Sequence, residues 1–252
     1  MITEKTPNDW RELQNLVGQI LYECGMAVEI EKIVKLARGQ VEIDVVASET
    51  IKGRSYQIFS ECKYWRSAVP QNVVHGFRTA VQDGGAHKGY IISTAGFQTG
   101  AHTAAELTNV ELVTWPQFQN EFETTWIENY FVKVLTEVLD PLMTFTEPLA
   151  PFWFPNLSEP DRREFMDLFQ RYMGFGHFIM SCSSYTRVFG EEKLPRLPLR
   201  GTTEGARLGA VPDAILDAAG YRGLMLLCLD YGNNAIAEFR AIRDRNGFSG
   251  GE

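Results

Sequence analysis

The stretch from residue 38 to residue 65 constrains the fold of this chain more than any other. It begins with R-G-Q-V-E-I-D-V-V-A and, after a short polar segment, continues with S-Y-Q-I-F-S-E-C-K-Y-W. Alternation of apolar and polar residues over four to eight positions is typical of a half-buried β-strand. Lys52 and Gly53 provide a turn between the two runs. We therefore predict two strands joined by a turn.

Alternation sorts the side chains of the first strand onto two faces. Successive side chains of a strand point to opposite sides. Glu42, Asp44 and Val46 are therefore expected to share one face. Ile43 and Val45 are expected to share the other.

The second strand presents Phe59, Glu61 and Lys63 on one face by the same count. Neighbouring strands lie about 4.8 Å apart, so pairing of the two strands would bring Asp44 beside Glu61 and Lys63. The sequence therefore predicts two carboxylates and one ammonium group that converge from adjacent strands.

This set of groups suits the hydrolysis of a phosphodiester. Carboxylates are ligands that Mg²⁺ prefers, and the ion lowers the pKa of a bound water and stabilises charge on a phosphate. A nearby lysine can orient that water or balance charge. For the E-C-K triplet taken alone, the alternative is a solvated strand face with an ion pair, because an acid two residues before a lysine should occur by chance about once in such a chain.

Further segments surround these strands in a recognisable order. A helix, D-W-R-E-L-Q-N-L-V-G-Q-I-L-Y-E-C-G, comes before them, and G-Y-I-I-S-T-A-G-F-Q-T-G-A and E-L-V-T-W follow. In order and spacing, residues 9–115 resemble the Mrr-like branch of the PD-(D/E)xK restriction-endonuclease superfamily. The resemblance covers a little under half of the chain.

The resemblance implies a role for each site residue. Asp44 corresponds to the first metal-binding acid, Glu61 to the second and Lys63 to the catalytic lysine. The backbone carbonyl of Cys62 is a further expected metal ligand. The implied cofactor is Mg²⁺, with Mn²⁺ as a substitute.

Gln14 departs from the family, which commonly has a glutamate at this point of the first helix. The departure removes one charge near the expected metal site. It leaves open whether Glu42 substitutes for the missing acid, whether the amide suffices, or whether activity is reduced. Gln14 and Glu42 are therefore candidate supporting residues.

Candidates for DNA contacts lie near the site, although a net charge of −8 disfavours nonspecific DNA binding. The basic residues expected around the site are Lys32, Lys35, Arg38, Arg54, Lys63 and Arg66. We predict DNA contacts for Lys35, Arg38, Arg66 and Thr94. The alternatives are a solvated edge strand for the bases of the first strand and ordinary helix capping around Thr94.

The remaining pattern predicts an α/β fold with a mixed central sheet flanked by helices, followed by an α+β C-terminal region. Before residue 116 we expect helices at 7–24, 69–81 and 99–107 and strands at 27–36, 88–94 and 110–115. After it we expect a helical segment at 117–143, helices at 159–173 and 212–219, a strand at 178–189 and a hairpin of 221–231 with 235–242. The predicted divisions are a nuclease-like domain at 1–116, a linking helix at 117–145 and a C-terminal region at 146–252.

The leading hypothesis is a metal-dependent DNA endonuclease of the Mrr-like restriction type, acting in defence. The alternative is a nuclease-fold module for DNA binding or assembly with weak or no cleavage; a nuclease of RNA or branched DNA is a third hypothesis. The N-terminus, M-I-T-E-K-T-P-N-D, lacks the layout of a signal peptide, and no apolar run is long enough to span a membrane. A protein of the prokaryotic cytoplasm is therefore expected, with DNA and either a second copy or a defence partner as binding partners.

Overall fold

A computed structural model describes residues 1–37, 39–183, 194 and 196–248. The chain divides into two compact units. The first comprises Met1 and Lys5–Asn129, and the second comprises Ile2–Glu4 and Tyr130–Glu252. Arg38 and residues 184–189 of the predicted strand 178–189 lie outside the described residues.

The first unit is built on a five-stranded mixed sheet. Its strands are β1 Ala27–Lys35, β2 Gln40–Ile51, β3 Arg54–Lys63, β4 Lys88–Ser93 and β5 Val110–Thr114. They lie in sequence order across the sheet, with antiparallel pairing from β1 to β3 and parallel pairing from β3 to β5. The turn between β2 and β3 falls at Lys52 and Gly53, both with positive φ. The predicted mixed sheet and its hairpin are confirmed.

Four helices flank this sheet: α1 Trp10–Glu23, α2 Gln71–Asp83, α3 Thr99–Ala105 and α4 Trp115–Trp126. Helix α1 begins after Asp9, whose carboxylate accepts the backbone N–H of Glu12 at 2.7 Å, as expected of an N-cap. The chain leaves the helix at Gly25 with φ 97°, a conformation that glycine adopts without strain.

The two faces of the sheet carry different helices. The core under α2 and α3 contains Ile43, Val46, Phe59, Ile91 and Val110 from the sheet and Val74, Phe77, Val81, Ala101 and Ala104 from the helices. On the other face, α1 approaches β1 closely at Gly18, where an added Cβ would lie 2.6 Å from Ile30 Cδ1. Tyr90 packs there edge-on to Phe118 and Phe122 of α4.

The described part of the second unit is helical. A π-helical turn, Ile127–Phe131, begins in the first unit and ends in the second, and α5 Val132–Val138 and α6 Asp140–Phe145 follow it. A 3₁₀ turn, Phe154–Asn156, precedes α7 Glu159–Cys182. Helices α8 Thr203–Arg207, α9 Asp213–Asp217 and α10 Tyr221–Arg245 follow. Within the described ranges, no helix combines the length and the apolar character needed to cross a bilayer.

The predicted hairpin of residues 221–231 and 235–242 is wrong, because this segment is the single helix α10. Its buried residues recur at three- and four-residue intervals, which is the period of a helix: Leu224, Met225, Cys228, Gly232, Ala235, Ile236, Phe239 and Ile242. Gly232 is not a turn residue. It lies against Leu139, where an added Cβ would approach Leu139 Cδ2 to 2.6 Å.

The strand predicted at residues 178–189 is also wrong in its described part, because residues 178–182 complete α7. The helix predicted at 159–173 extends nine residues further than expected, to Cys182. Phe178, Ile179 and Cys182 are buried at helical spacing. These apolar residues therefore continue one face of a helix and do not form a strand.

Candidate active site

Asp44 lies at an interruption in the pairing of β1 with β2. Pairing is regular as far as Ile30 with Val45 and resumes two residues along each strand. Glu31 therefore stands opposite Asp44 across the gap, and its φ of 53° is in the left-handed region. A non-glycine residue in that region costs about 1–3 kcal/mol and persists only where its surroundings enforce it.

The interruption reverses the two faces of β2. Ile43 and Val46, three residues apart, both belong to the core under α2 and α3. The prediction that they occupy opposite faces is wrong, because strict alternation does not continue through Asp44. The same reversal occurs in β1, where Ile30 lies against α1 while Val34 packs on the other face.

Two hydrogen bonds hold Asp44 at this point. Its carboxylate Oδ2 accepts the backbone N–H of Cys62 on β3 at 2.7 Å. Its backbone carbonyl accepts the side-chain amide of Gln14 on α1, with Nε2 2.9 Å from the oxygen. Gln14 is 1% exposed, so the amide that reaches Asp44 is fully enclosed.

Glu61 and Lys63 lie on β3 with their side chains in contact. The Lys63 ammonium donates to Glu61 Oε1, and the two side chains are 16% and 21% exposed, respectively. The ammonium also lies 5.6 Å from the ring centroid of Trp65, which is half-exposed. The structure thus brings the three charged groups expected from the sequence close together. Asp44 and Glu61 lie just beyond Val45 and Ser60, the last β2–β3 pair at this end, and the positive charge of Lys63 acts on both carboxyl groups.

Burial raises the pKa of both carboxyl groups. For Asp44, burial is the largest cause, and the Cys62 hydrogen bond and the Lys63 charge oppose it. For Glu61, burial and then the negative charge of Asp44 raise the pKa. A bound cation would favour the ionised form of both carboxyl groups and so offset the effect of burial.

Thr94 supports the segment that follows β3. Its backbone N–H donates to the carbonyl of Lys63 at 3.1 Å, and its hydroxyl donates to the carbonyl of Trp65 at 3.2 Å. It therefore holds the chain beside the ammonium group of Lys63.

The basic residues expected around the site are only partly brought there. Lys35 is exposed and pairs with Gln40 at the same end of the sheet as the site. Arg66 is exposed three residues after Lys63. Arg54 is not near the site, because it begins β3 at the opposite end of the hairpin.

The donor set fits a hard divalent cation. Asp44 and Glu61 offer carboxylate oxygens, while Glu42 is exposed. Among the residues that the structure describes, no three His, Cys, Asp or Glu side chains form a metal-binding group. Two carboxylates with the remaining positions left to water and phosphate are the arrangement that Mg²⁺ favours.

The reversal at Glu31 was missed in the sequence, although β1 contains a signal for it. Apolar residues alternate at Val28 and Ile30 and then shift phase to Ile33 and Val34. Such a shift within a strand indicates a bulge or a twist of the strand. In this chain the shift occurs opposite the first acid of the candidate site.

Residues 7–122 match a protein-family model described as Mrr_cat, restriction endonuclease. The predicted resemblance to Mrr-like restriction endonucleases is therefore confirmed for this part of the chain. The match includes α1, the whole sheet and both strands of the site.

Comparison with solved structures gives two distant similarities. One is the protein of unknown function AF1548, with 16% identity, a TM-score of 0.39, and coverage of 96% of this chain and 100% of that one. The other is protein VC1899 from Vibrio cholerae, with 14% identity, a TM-score of 0.36, and coverage of 47% of this chain and 33% of that one. No curated protein matches the chain.

Proposed function

We propose that this protein is a Mg²⁺-dependent DNA endonuclease of the Mrr-like restriction type, which acts in defence in a prokaryotic cytoplasm. The observation that carries the proposal is the convergence of Asp44, Glu61 and Lys63 on paired strands inside an Mrr-type domain. Partly buried acids beside a lysine are costly to a strand that has only a structural role. Their proximity supports a catalytic use.

Each residue has a distinct task in this proposal. Asp44 and Glu61 would hold the cation, with the Cys62 carbonyl as a third ligand. When bound, Mg²⁺ supplies charge neutralisation for the phosphate and a lowered pKa for the attacking water. Lys63 would orient that water and balance the charge that builds on the phosphate.

The wider surface would hold the DNA backbone. Lys35 and Arg66 are exposed, and we propose them as phosphate contacts together with Arg38 and Thr94. We further propose that residues 1–116 act as the nuclease domain, that 117–145 link it to the rest, and that 146–252 serve target choice or a protein partner, including a second copy.

The test is cleavage of plasmid DNA, modified and unmodified, by the full chain with Mg²⁺ or Mn²⁺. Lys63→Ala should reduce the rate by about 10²–10³-fold, the range seen when one group that stabilises transition-state charge is removed. Lys88→Ala is the matched control. Lys88 forms a comparable ion pair with Glu111 on β4 and β5 of the same sheet, outside the site.

Cleavage that survives in Lys63→Ala at the level of Lys88→Ala would rule out the proposed role of Lys63. Cleavage that needs no divalent metal would rule out the proposed cofactor. Isothermal calorimetry gives a second, independent readout. Wild-type protein should bind Mn²⁺, and Asp44→Ala should abolish the heat.

Gln14 favours a second candidate function, a binding or assembly module with weak or no cleavage. An amide in place of the acid of the family leaves the site with one negative charge fewer. A module of this kind would bind DNA and a divalent ion without cutting any DNA. This function would be favoured if Asp44→Ala abolishes the heat of metal binding and the wild-type protein leaves the plasmid intact under all conditions.

A further inference from the structure

We propose that Gln14 is a positioning residue that fixes the backbone of Asp44, and that it is not a metal-ligand position that has lost its charge. The inference rests on the proposed nuclease function and deepens it, because it assigns a task to a position at which this chain departs from the family.

The contact between the two residues allows a single assignment of the amide. Gln14 Nε2 lies 2.9 Å from the carbonyl oxygen of Asp44, and a carbonyl oxygen only accepts hydrogen bonds. The NH₂ group of Gln14 therefore faces Asp44. Since Gln14 is 1% exposed, water cannot easily replace this bond if the amide is removed.

The backbone of Asp44 needs such a partner because the strands on either side hold it weakly. Within the described residues, the β1–β2 pairs leave out Glu31 and Asp44, and the β2–β3 pairs begin at Val45. A backbone carbonyl that is partly buried and outside the ladder requires a donor from elsewhere. Helix α1 supplies that donor from 30 residues away in sequence.

Two bonds then fix the direction of the Asp44 side chain. Gln14 holds the backbone carbonyl, and the N–H of Cys62 holds carboxylate Oδ2 at 2.7 Å. With the residue tied at both ends, the other carboxylate oxygen has a defined direction toward a cation. Groups that orient metal ligands in this way typically change metal affinity or activity by about 10–100-fold when they are mutated.

A glutamate could not perform this task. Its ionised carboxylate has no donor and would place its lone pairs against those of the Asp44 carbonyl. A glutamine, unlike an ionised glutamate, can therefore serve a strand whose ladder is interrupted at Asp44.

The experiment compares Gln14→Glu and Gln14→Met with a matched control, Gln19→Met. Glutamate keeps the shape of the side chain and removes the donor, and methionine keeps its length and packing without hydrogen bonds. Gln19 lies on the same helix, where its amide donates to Glu23 Oε1 at 3.0 Å. Two properties of the full chain are measured: Mn²⁺ affinity by calorimetry, and amide hydrogen exchange of Cys62 in the metal-free protein by NMR.

Both Gln14 variants should bind Mn²⁺ about 10–100-fold more weakly than wild type. The Cys62 amide should exchange faster than in wild type, while amides at the Lys52 end of the hairpin keep their rates. Gln19→Met should match wild type in both measurements. If Gln14 only stabilised the helix, its variants would change the exchange rates of the α1 amides and leave the Mn²⁺ affinity of the folded protein unchanged.

Tighter Mn²⁺ binding by Gln14→Glu than by wild type would overturn the inference, because it would show that position 14 is a metal ligand that lost its charge. Gln14→Met indistinguishable from Gln19→Met would overturn it as well. If wild-type protein neither binds metal nor cuts DNA, the proposed function has failed. The exchange rate of Cys62 then decides the inference alone, and an unchanged rate in Gln14→Met overturns it.

Discussion

The two compact units of this chain place their charged groups in opposite ways. In the first, Asp44, Glu61 and Lys63 lie on paired strands and are partly enclosed, and burial raises the pKa of both acids. In the second, Arg200 forms exposed ion pairs with Asp213 and Asp217. Partly buried charge is costly, whereas exposed pairs cost little and stabilise little. Stability alone therefore does not explain the partly buried charges of the first unit. The exposed ion pairs of the second unit need no further explanation.

The largest expected effect is a loss of stability from a substitution in the core of the second unit, which should leave the site of the first unit unchanged. Phe239 is fully buried and stacks with Phe145 at 4.9 Å between ring centroids. Phe239→Ala should reduce the free energy of unfolding by about 3–5 kcal/mol. Chemical denaturation would measure this loss, and calorimetry should find the Mn²⁺ affinity of the folded protein unchanged.

Phe59→Ala is the matched variant in the first unit, because Phe59 is equally buried and lies on β3 two residues before Glu61. It should lose similar stability and also weaken Mn²⁺ binding. Equal weakening of Mn²⁺ binding by Phe239→Ala and Phe59→Ala would remove the expected contrast between the two units.

Metal addition should stabilise the protein through the first unit. A ligand that binds only the folded state at 100 times its Kd adds about 2.7 kcal/mol to the free energy of unfolding. Thermal unfolding with and without Mn²⁺ should show a rise in Tm for wild type and none for Asp44→Ala. An equal rise in Asp44→Ala would place the stabilising ion elsewhere.

Asp44→Asn should stabilise the metal-free protein while abolishing metal binding. The amide oxygen still accepts the Cys62 N–H, and a partly buried negative charge is removed, so we expect a gain of about 0.5–2 kcal/mol, the size typical of single stabilising substitutions. Denaturation in the presence of a chelator measures it. A loss of stability at neutral pH would show that the Asp44 charge stabilises the metal-free protein.

The pH dependence of that gain has a defined sign. Because the folded-state pKa of Asp44 is raised above its ordinary value of 3.8, the stability that its protonated form contributes is present at low pH and is lost as pH rises through the raised pKa. The advantage of Asp44→Asn should therefore shrink as the pH is lowered.

Asp217 in the second unit should behave in the opposite way. The hydrogen bond from Arg200 lowers the pKa of Asp217 below its ordinary value of 3.8, so its contribution is present above that value and is lost as pH falls. Asp217→Asn should bring no gain at neutral pH. A gain equal to that of Asp44→Asn would remove the contrast between the two units.

The smallest expected effects concern DNA affinity. If Lys35 or Arg66 contacts a phosphate, each alanine variant should reduce the slope of log K against log salt concentration by about 0.9 for duplex DNA. Fluorescence anisotropy over a salt series, with Ca²⁺ in place of Mg²⁺, would measure the slope. Arg54→Ala, at the far end of the hairpin, is the control and should leave it unchanged.

The sequence was most informative where one periodicity dominates. The apolar–polar runs of β2 and β3, with a turn at Lys52 and Gly53, predicted the hairpin on which Asp44, Glu61 and Lys63 lie. What it could not show was the reversal at Glu31, because a left-handed backbone at a glutamate is imposed by its surroundings and not by local propensity. The donor role of Gln14 depends on that reversal and was equally hidden.

In the second unit, a local turn-like composition led to a wrong prediction for a segment that has helical spacing along its whole length. Gly232 and the two asparagines after it have the composition of a turn, and this composition suggested two short strands. Helical spacing over the whole segment was the stronger indicator. The glycine is explained by the nearby side chain of Leu139, a tertiary contact that no local pattern encodes.

The short turn between β2 and β3 has a consequence for the order in which the first unit folds. Contacts between β2 and β3 close only a small loop, whereas β3 reaches β4 through α2, and Gln14 reaches Asp44 across 30 residues. Loops that are short in sequence close at lower entropic cost and earlier. We therefore expect the three charged groups to come together early, on a hairpin that is still open to water, before α1 docks. The docking of α1 would then be the step that orients Asp44.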